Sequence, residues 1–394
     1  MFLMFDNSQS IRHAVIMAGG EGTRLRPITD TMPKPLVPIH GVPVIRRILK
    51  LLRRHGVETA DITARYLAEQ LTDALGQNCE GISLTYFIED QPLGTAGSVK
   101  QALTSRRDFH DGSFLIISGD AVSESDLTTA MDFHRRTDAD VTMILSHSSD
   151  VSRYGVVLCR ADELSDSPDF SPGSGRILRF QEKPAPEEAC SDTVNTGIYL
   201  MKYHVLDEIP DGVASDFGRD IFPHLLEKGK RLYGYIDSGY WCDIGTPESY
   251  YHCNMDYFHR ESDLWTPTGS STPEKKMLEG ETNDSRITFY DLTVKNYLNS
   301  VIGEGCILAP TVTLDHCLLH DHVKIGPYSS LQGSILCRGC RIGREVIIGY
   351  GACLGEACVV EDGVVIGENA RIPAFTHVTL ESMSELSPLK NADL

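Results

Sequence analysis

The chain has 394 residues, of which 41% are hydrophobic, and it carries a formal net charge of −19. This length and apolar content are sufficient for more than one buried core, so two domains are expected. The negative charge excludes nucleic acid and an anionic membrane as main partners, because both require an exposed cationic surface. An anionic small substrate stays compatible with it, since a few positioned cations and a divalent metal can reverse the local field.

Neither end of the chain nor its cysteines indicate secretion or membrane insertion. No apolar run approaches the roughly 20 residues that a spanning helix needs, and residues 1–10 lack the pattern of a signal peptide. The eleven cysteines are scattered apart from Cys337-x-x-Cys340, which has no second ligand pair at metal-binding spacing. Buried thiols in a reducing cytoplasm are therefore expected, and the first ten residues are interpreted as an extension.

The first two-thirds of the chain alternate short apolar runs with amphipathic stretches. His13–Ala18 is predicted to be a buried strand, and residues 44–55 a helix because their apolar side chains recur at helical spacing. Residues 84–88 and 114–118 are again predicted strands. This alternation is typical of an α/β fold with a Rossmann-like, mostly parallel sheet, and ligands of such sheets bind outside the carboxyl ends of the strands.

A glycine-rich segment follows the first predicted strand. It reads AGGEGTRLRP from Ala18, and Lys34 lies between two prolines ten residues beyond Arg24. Three glycines within four positions let backbone N–H groups turn towards one point, and such a nest binds phosphate, although most glycine-rich turns are only tight connections. The two cations favour a triphosphate site here, and the prolines fix the reach of the lysine.

Two other phosphate-binding motifs are excluded by the same residues. A dinucleotide fingerprint beginning at Gly20 requires glycine where the chain has Leu25, and an acidic residue about twenty positions further on, which is absent. A P-loop beginning at Gly19 requires Gly-Lys where the chain has Arg24 and Leu25. The segment therefore matches neither motif.

The motif GGEGTRL from Gly19 to Leu25, with the prolines that flank Lys34, resembles the signature of sugar-phosphate nucleotidyltransferases, and the resemblance covers residues 12–375. It implies in-line attack of a sugar-phosphate oxygen on the α-phosphorus of an NTP, without a general base because the attacking phosphate is already ionised. By motif position, the catalytic residues are Arg24, on the departing pyrophosphate, and Lys34, on the α-phosphate. The nucleotide-binding residues that the resemblance implies are Ala18, Gly19, Gly20, Gly22, Thr23, Gln91, Gly94 and Thr95.

Two aspartates match the positions at which the family binds a divalent cation. Asp120 follows the predicted strand 114–118 as Ser-Gly-Asp, and Asp243 lies in the motif GYWCDIG. Mg²⁺ is usually held by one or two carboxylates together with substrate phosphates, so the resemblance implies that Asp120 and Asp243 bind it. A single aspartate after a strand can equally cap a helix.

The sugar side is implied by three further motifs. Lys183 resembles the family's ligand for the sugar phosphate, and Glu182 and Asn195 resemble its ligands for sugar hydroxyls. The backbone at Tyr154 and Gly155 occupies the position that meets the sugar. A Glu-Lys pair alone would be a solvated surface, so these assignments depend on the resemblance.

The stretch QPLGTAG from Gln91 resembles the loop that contacts the base. Its GTAG form, the Gly-Thr-Pro at Gly245 and the C-terminal repeats resemble mannose-1-phosphate guanylyltransferases, which favours GTP and mannose 1-phosphate as substrates. Similar loops occur in uridylyl-, adenylyl- and thymidylyl-transferring relatives of glucose 1-phosphate, and a few hydrogen bonds decide the base. These substrates remain alternatives.

A six-residue apolar period appears beyond the polar stretch that begins at residue 263. The residues in phase are Ile342, Ile348, Leu354, Val360, Ile366 and Ile372, with an earlier run at Ile302, Leu308 and Leu314. Ile325 and Leu331 lie between the runs on a shifted register. So short a period predicts a parallel β-helix of hexapeptide repeats, left-handed by resemblance. The expected divisions are a catalytic domain at 1–262, a linker at 263–299, the β-helix at 300–375 and a tail at 376–394.

Three functions are compatible with this organisation. A non-catalytic regulatory subunit would be expected to lack a cation or metal ligand, yet the chain retains Arg24, Lys34, Asp120, Lys183 and Asp243. Acyl transfer by the repeats would require a catalytic histidine, for which the candidates are His316, His320 and His322. No acyl-donor loop accompanies them, so nucleotidyl transfer is favoured and the repeats are interpreted as a platform for homo-oligomers.

Overall fold

The computed structural model describes residues 11–104, 112–165, 167–263 and 297–381. The chain forms two compact units, one of residues 11–21 and 44–243, the other of residues 22–43 and the described residues from 244 onward. The expected domain limits differ from this division and stay a prediction. The N-terminal extension, most of the linker and most of the tail expected from the sequence lie outside the described residues.

Fourteen strands and six α-helices occur in the described residues before 264, besides short 3-10 and π-helical turns. The strands are β1 (His13–Ala18), β2 (Pro38–Ile39), β3 (Val42–Pro43), β4 (Thr59–Ala64), β5 (Asn78–Cys79), β6 (Ile82–Ile88), β7 (Ser113–Ser118), β8 (Ala121–Ser123), β9 (Val141–His147), β10 (Gly155–Arg160), β11 (Gly175–Glu182), β12 (Thr193–Lys202), β13 (Leu232–Ile236) and β14 (Trp241–Asp243). The helices are α1 (Val44–Arg54), α2 (Ala68–Leu75), α3 (Gly94–Thr104), α4 (Leu127–Arg136), α5 (Phe222–Glu227) and α6 (Pro247–Asp263).

The first unit is built on a ten-stranded sheet with the order β10-β11-β13-β9-β12-β7-β1-β4-β6-β5. Strands β1, β6 and β7 coincide with the three strands predicted from the sequence, and with β4, which was not predicted, they form the parallel neighbours β7-β1-β4-β6. Ala14, Val15 and Ile16 of β1 are fully buried, because β1 lies in the middle of the sheet and both of its faces are covered. Helix α1 buries its apolar face, and its bounds confirm the helix expected over residues 44–55.

The expectation of a mostly parallel sheet is wrong for the other half. Strand β12 pairs antiparallel with both β7 and β9, and β11 pairs antiparallel with β10 and β13. In the described residues no α-helix separates β10, β11 and β12 along the chain. A parallel pair usually needs a helical crossover, so strands joined without one pair antiparallel. The sheet is therefore mixed.

The described residues from 297 onward form short strands in three separate sheets, here called the three-sheet region. Each sheet has five parallel strands, and consecutive strands of the chain enter the three sheets in turn. The strands are β15 (Tyr297–Leu298), β16 (Val301–Ile302), β17 (Ile307–Leu308), β18 (Thr313–Asp315), β19 (Leu318–Leu319), β20 (Lys324–Ile325), β21 (Ser330–Gln332), β22 (Ile335–Leu336), β23 (Arg341–Ile342), β24 (Ile347–Ile348), β25 (Cys353–Leu354), β26 (Val359–Val360), β27 (Val365–Ile366), β28 (Arg371–Ile372) and β29 (His377–Val378). This arrangement is consistent with the expected β-helix.

The register of these sheets explains the six-residue period and its interruption. The six in-phase residues from Ile342 to Ile372 are each at most 5% exposed, so the period marks the interior. Ile348 pairs with Ile366, three full periods later, whereas Leu314 pairs with Leu331, one position short of three periods. The shorter turns contain one step of five positions, and each such step shifts the register that follows it.

A search of the described residues found no helix long and apolar enough to cross a membrane.

Candidate active site

The carboxyl end of β1 leads into the glycine-rich segment. Ala18 ends the strand, and Gly19 and Gly20 follow it. A Cβ at Gly20 would meet no atom within 4 Å, whereas a Cβ at Gly19 would lie 3.5 Å from Oε1 of Glu89. The backbone at Gly20 is therefore open to a ligand, and Gly19 lies against a carboxylate.

Glu89 is a further acidic residue beside the glycine-rich segment, and it was not singled out from the sequence. It follows β6 directly, is only 9% exposed, and accepts the N–H of Leu93 on Oε2 at 3.3 Å. Burial raises the pKa of Glu89, and the Leu93 N–H and the charge of Arg65 oppose that shift. The sequence feature that could have identified Glu89 is its position just after the predicted strand 84–88. Asp120 likewise lies shortly after a predicted strand.

The loop expected to contact the base begins helix α3. Gln91 is exposed. Gly94 has φ +71°, and a Cβ there would lie 2.4 Å from the carbonyl oxygen of Ser215, so only glycine fits. The Thr95 hydroxyl donates to Asp216 at 2.8 Å and accepts the N–H of Phe217 at 2.9 Å. These bonds tie Thr95 to the protein, and its nucleotide contact stays a prediction.

Asp120 and Asp243 are brought together by the two-stranded sheet of β8 and β14. Asp243 pairs with Ala121, the residue next to Asp120, although the two aspartates are far apart in the sequence. The hydroxyl of Ser118 donates to Asp120, and the N–H of Gly119 donates to the carbonyl of Met17 at 2.8 Å. This last bond fixes the turn beside the end of β1.

The pair of carboxylates fits Mg²⁺. That ion keeps several waters and binds through one or two carboxylates plus substrate phosphates, rather than in a cage made only of protein ligands. Among the described residues no group of three or more His, Cys, Asp and Glu side chains could hold a metal. The pairing of β8 with β14 supplies two carboxylates at neighbouring backbone positions, which is a donor set of this kind.

Four of the five residues expected near the sugar 1-phosphate are neighbours in the fold. Gly155 pairs with Glu182 across β10 and β11, and the N–H of Lys183 donates to the carbonyl of Tyr154 at 3.0 Å. Lys183 has φ +46°, which is uncommon for a residue with a side chain. Its ammonium lies 3.6 Å from Oε1 of Glu182.

The carboxylate of Glu182 lies against two glycines. A Cβ would lie 3.2 Å from its Oε2 at Gly155 and 2.5 Å from it at Gly218. Burial raises the pKa of Glu182, with Asp216 adding to the shift and Lys183 opposing it. The close glycines keep the carboxylate in one place, so it can serve as a fixed acceptor.

Asn195 lies at an irregularity of β12, where the pairing with β9 shifts between residues 195 and 198. Its Nδ2 donates to the hydroxyl of Tyr199 at 2.7 Å, and its Oδ1 accepts the N–H of Gly197 at 2.9 Å. An amide side chain can make four hydrogen bonds, and these use two. Asn195 is thus oriented by the protein and keeps capacity for a hydroxyl group.

Two aromatic residues that were not singled out from the sequence, Tyr199 and Trp241, contact residues expected at the sugar. Tyr199 accepts the hydrogen bond from Asn195. Burial raises the pKa of Tyr199, and the charges of Asp216, Glu182 and Asp120 raise it further. The ring of Trp241, in β14, contacts the ring of Tyr154 with their centroids 5.2 Å apart. An aromatic residue in a strand has no sequence feature that separates this role from ordinary packing.

Gly22, Thr23, Arg24 and Lys34 belong to the second unit. Gly22 has φ +63°, and a Cβ there would lie 3.1 Å from Cγ2 of Thr29 and 3.3 Å from Cβ of Lys34. Thr23 and Arg24 are exposed, whereas Lys34 is 6% exposed. The structure therefore brings Gly22 and Lys34 together, and the expected convergence of Arg24 and Lys34 on Asp120 stays a prediction.

Known proteins resemble the chain along most of its length. Among them, the UTP–glucose-1-phosphate uridylyltransferase of Synechocystis sp. is 32% identical over 378 residues, covering 89% of this chain and 92% of the relative. The mannose-1-phosphate guanylyltransferase of Mycobacterium tuberculosis is 29% identical over 325 residues, covering 79% and 80%. The crystal structure of HddC from Yersinia pseudotuberculosis complexed with GMP-PN has a TM-score of 0.50 and 26% identity, covering 63% and 100%.

Two family profiles match the chain, and together they span both of its parts. Residues 13–260 match the nucleotidyl transferase profile, and residues 294–384 match that of the GMPPB C-terminal domain. The first match confirms the family resemblance drawn from the motif between Gly19 and Leu25. The chain therefore belongs to the nucleotidyl transferase family, with a C-terminal region of the GMPPB type.

Proposed function

We propose that the chain couples a sugar 1-phosphate to an NTP and releases pyrophosphate. The observation that carries this proposal is the pairing of β8 with β14, which sets Asp243 beside Asp120 at the edge where β1 opens into the glycine-rich segment. Matches to uridylyl- and guanylyltransferases of sugar 1-phosphates support it.

The nucleotide phosphates are proposed to bind at the glycine-rich segment. The backbone at Gly19 and Gly20 would donate to phosphate oxygens, with Arg24 on the departing pyrophosphate and Lys34 on the α-phosphate. Lys34 suits a fixed role, because a nearly buried ammonium is costly unless anionic groups surround it. An oxygen of the sugar phosphate attacks the α-phosphorus, and the bond from that phosphorus to the β-phosphate oxygen breaks.

Asp120 and Asp243 are the proposed ligands of Mg²⁺. When bound, the ion would neutralise charge on the phosphates of the nucleotide. The chain itself contributes the orientation of the carboxylates, since Ser118 donates to Asp120 and the register of β14 fixes Asp243. Both groups are held by backbone elements, which suits a reaction that depends on positioning.

The sugar 1-phosphate is proposed to lie on the first unit, between β10, β11 and β12. Lys183 would pair with its phosphate, and Glu182 and Asn195 would accept or donate hydrogen bonds at its hydroxyls. The contact between the N–H of Lys183 and the carbonyl of Tyr154 supports this grouping, because it joins the two motifs. The backbone at Gly155 would then meet the sugar ring.

GTP and mannose 1-phosphate are the proposed substrates. The GMPPB-type C-terminal region and the guanylyltransferase relative support this choice. UTP with glucose 1-phosphate is the alternative, supported by the 32% identity to a uridylyltransferase.

The three-sheet region is proposed to be a left-handed parallel β-helix of hexapeptide repeats that supports a homo-oligomer. The proposed compartment is the cytoplasm, and the free state of all eleven cysteines suits its reducing conditions.

A substrate grid tests the proposal. The purified chain is incubated with each of GTP, UTP, ATP and dTTP against mannose 1-phosphate and glucose 1-phosphate, with Mg²⁺, and pyrophosphate is measured. One pair is expected to exceed the others in kcat/KM, with the corresponding nucleotide sugar as the second product. If no combination yields pyrophosphate above the blank, the proposed function is overturned. If UTP and glucose 1-phosphate are preferred, only the choice of substrates is wrong.

A further inference from the structure

The segment of residues 22–34, which carries Arg24 and Lys34, is bonded to the three-sheet region at two adjacent positions. The hydroxyl of Thr31 donates to Oε2 of Glu356 at 2.5 Å. The N–H of Ala374 donates to Oδ2 of Asp30 at 3.1 Å. Both bonds join residues that are distant in the sequence, and all four residues lie within the second unit.

Glu356 is itself held by the turn before it. Nε and Nη2 of Arg338 donate to its Oε1 at 3.1 and 2.6 Å, which leaves Oε2 for Thr31. Its side chain is 20% exposed. Burial raises the pKa of Glu356, but the hydrogen bonds from Thr31 and Arg338 outweigh burial and leave the pKa below its ordinary value. Glu356 is therefore an ionised acceptor with a fixed direction.

Thr31 transmits this fixation to the proposed phosphate ligands by its place in the segment. It lies three positions before Lys34, at the end of the 3-10 turn Ile28–Asp30. The neighbouring Thr29 donates its hydroxyl to the carbonyl of Gly22 at 2.7 Å, which closes the segment on itself. Thr31 therefore lies between this closed loop, which contains Arg24, and Lys34.

We propose that Glu356 is a positioning residue for the nucleotide-binding segment, acting through the hydroxyl of Thr31. This inference rests on the proposed function, and it assigns to the three-sheet region a part in NTP binding. The reason is geometric, because groups that bind a transferred phosphate must be held to within about 0.5 Å, and a segment without regular helix or strand needs outside bonds for that. Arg338 and Asp30 complete the anchor.

Steady-state kinetics of Glu356→Ala test the inference. We expect the KM for the NTP to rise about tenfold, as for loss of a hydrogen bond to a charged group, and the KM for the sugar 1-phosphate to stay within about twofold. A purely structural role would instead leave both KM values unchanged and reduce the rate only in proportion to the folded fraction, which circular dichroism measures. Glu361→Ala is the matched control, since Glu361 lies in the same region and pairs with the exposed His377 at 3.2 Å.

Variants of Thr31 approach the same bond from the other side and stay informative if Glu356→Ala fails to fold. Thr31→Val should reproduce the raised KM for the NTP, and Thr31→Ser should restore it because the hydroxyl returns. The double variant T31V/E356A should be no worse than the poorer single variant, because both remove one interaction. Additive effects, or a KM equal to that of Glu361→Ala, would overturn the inference while the active wild type leaves the proposed function intact. An inactive wild type would instead count against the proposed function.

Discussion

Trp241 donates its indole N–H to the carbonyl oxygen of Thr196 at 3.1 Å. Thr196 lies in the irregular part of β12 next to Asn195, and Trp241 lies two positions before Asp243 in β14. One hydrogen bond therefore connects the strand of a proposed metal ligand with the strand of a proposed sugar ligand. We expect this connection to help align the two substrates of the proposed reaction.

Trp241→Phe should weaken this connection without emptying the space beside Tyr154. We expect the free energy of unfolding to fall by about 1 to 3 kcal/mol, since the carbonyl of Thr196 loses its donor while partly buried. The KM for the sugar 1-phosphate should rise severalfold. Denaturant unfolding and initial rates measure the two effects. Tyr233→Phe is the control, because it removes an aromatic hydrogen bond of the same unit, to Asp162 at 2.6 Å, away from the proposed site. Unchanged kinetics would show that the bond has no part in alignment.

Asp120→Asn and Asp243→Asn should each lower kcat by about 100-fold or more, because a neutral amide replaces a charged ligand of the proposed Mg²⁺ site. The melting temperature should stay near that of the wild type. Asp192→Asn is the control, because Asp192 is an exposed carboxylate whose ion pair with His147 spans 3.1 Å at the surface. Rates close to those of the wild type in either variant would refute the metal assignment.

Lys34→Ala and Lys183→Ala should separate the two substrates. Loss of Lys34 should lower kcat about 100-fold with little change in the KM for the sugar 1-phosphate, because its proposed partner is the α-phosphate. Loss of Lys183 should raise the KM for the sugar 1-phosphate by about tenfold or more. Each variant serves as the control for the other in the same assay. Equal effects on both substrates from both variants would contradict the assigned roles.

The pH profile should report the ionisation of Glu182. Burial raises its pKa above the ordinary 4.5, so the charged form is lost at a higher pH than for an exposed glutamate. As a carboxylate acceptor for a sugar hydroxyl, it should make kcat/KM for the sugar 1-phosphate fall as the pH drops through that raised pKa. Glu182→Gln should lower the rate and remove this acidic limb. A limb that persists unchanged in the variant would belong to another group.

The stability of the first unit should depend on His134. Burial and, to a lesser extent, the charge of Lys202 lower its pKa to about 4, against the opposing charges of Asp138 and Asp140. With an unfolded value of 6.5, the stability is full above pH 6.5 and is lost as the pH falls towards 4, by about 3 kcal/mol in total. Urea unfolding between pH 7 and 4 measures the slope, which His134→Gln should reduce. A slope that is unchanged in the variant would refute the assignment.

The repeated part of the chain is predictable from sequence to the extent that its period is regular. The in-phase positions from Ile342 to Ile372 are all interior, because every turn there comprises three full periods. Leu319 and Leu336 escape the pattern because each follows a step of five. The backbone accepts a shorter turn as long as the sheets keep their pairing, and a fixed period cannot anticipate that.

The positions of the proposed site residues were predictable where a residue ends or closely follows a strand within a motif. Asp120 and Glu182 have such positions, and the structure gives Asp243 and Gly155 as their neighbours. The pairing of β8 with β14 was not predictable, since it joins two very short strands that are distant in the sequence. The antiparallel insertion of β12 was missed for a similar reason, because the direction of a strand depends on its partners rather than on its own residues.

The division of the last part of the three-sheet region into turns of equal length has a consequence for engineering. Each turn contacts only the turns before and after it, so a stack of this kind can be shortened by whole turns without disturbing the register of the rest. Glu356 and Ala374 occupy equivalent places in consecutive turns, and both reach the segment of residues 22–34. Excision of the one turn that separates them would therefore remove an attachment point, whereas grafting further turns after Val378 would lengthen the molecule and leave both attachments in place.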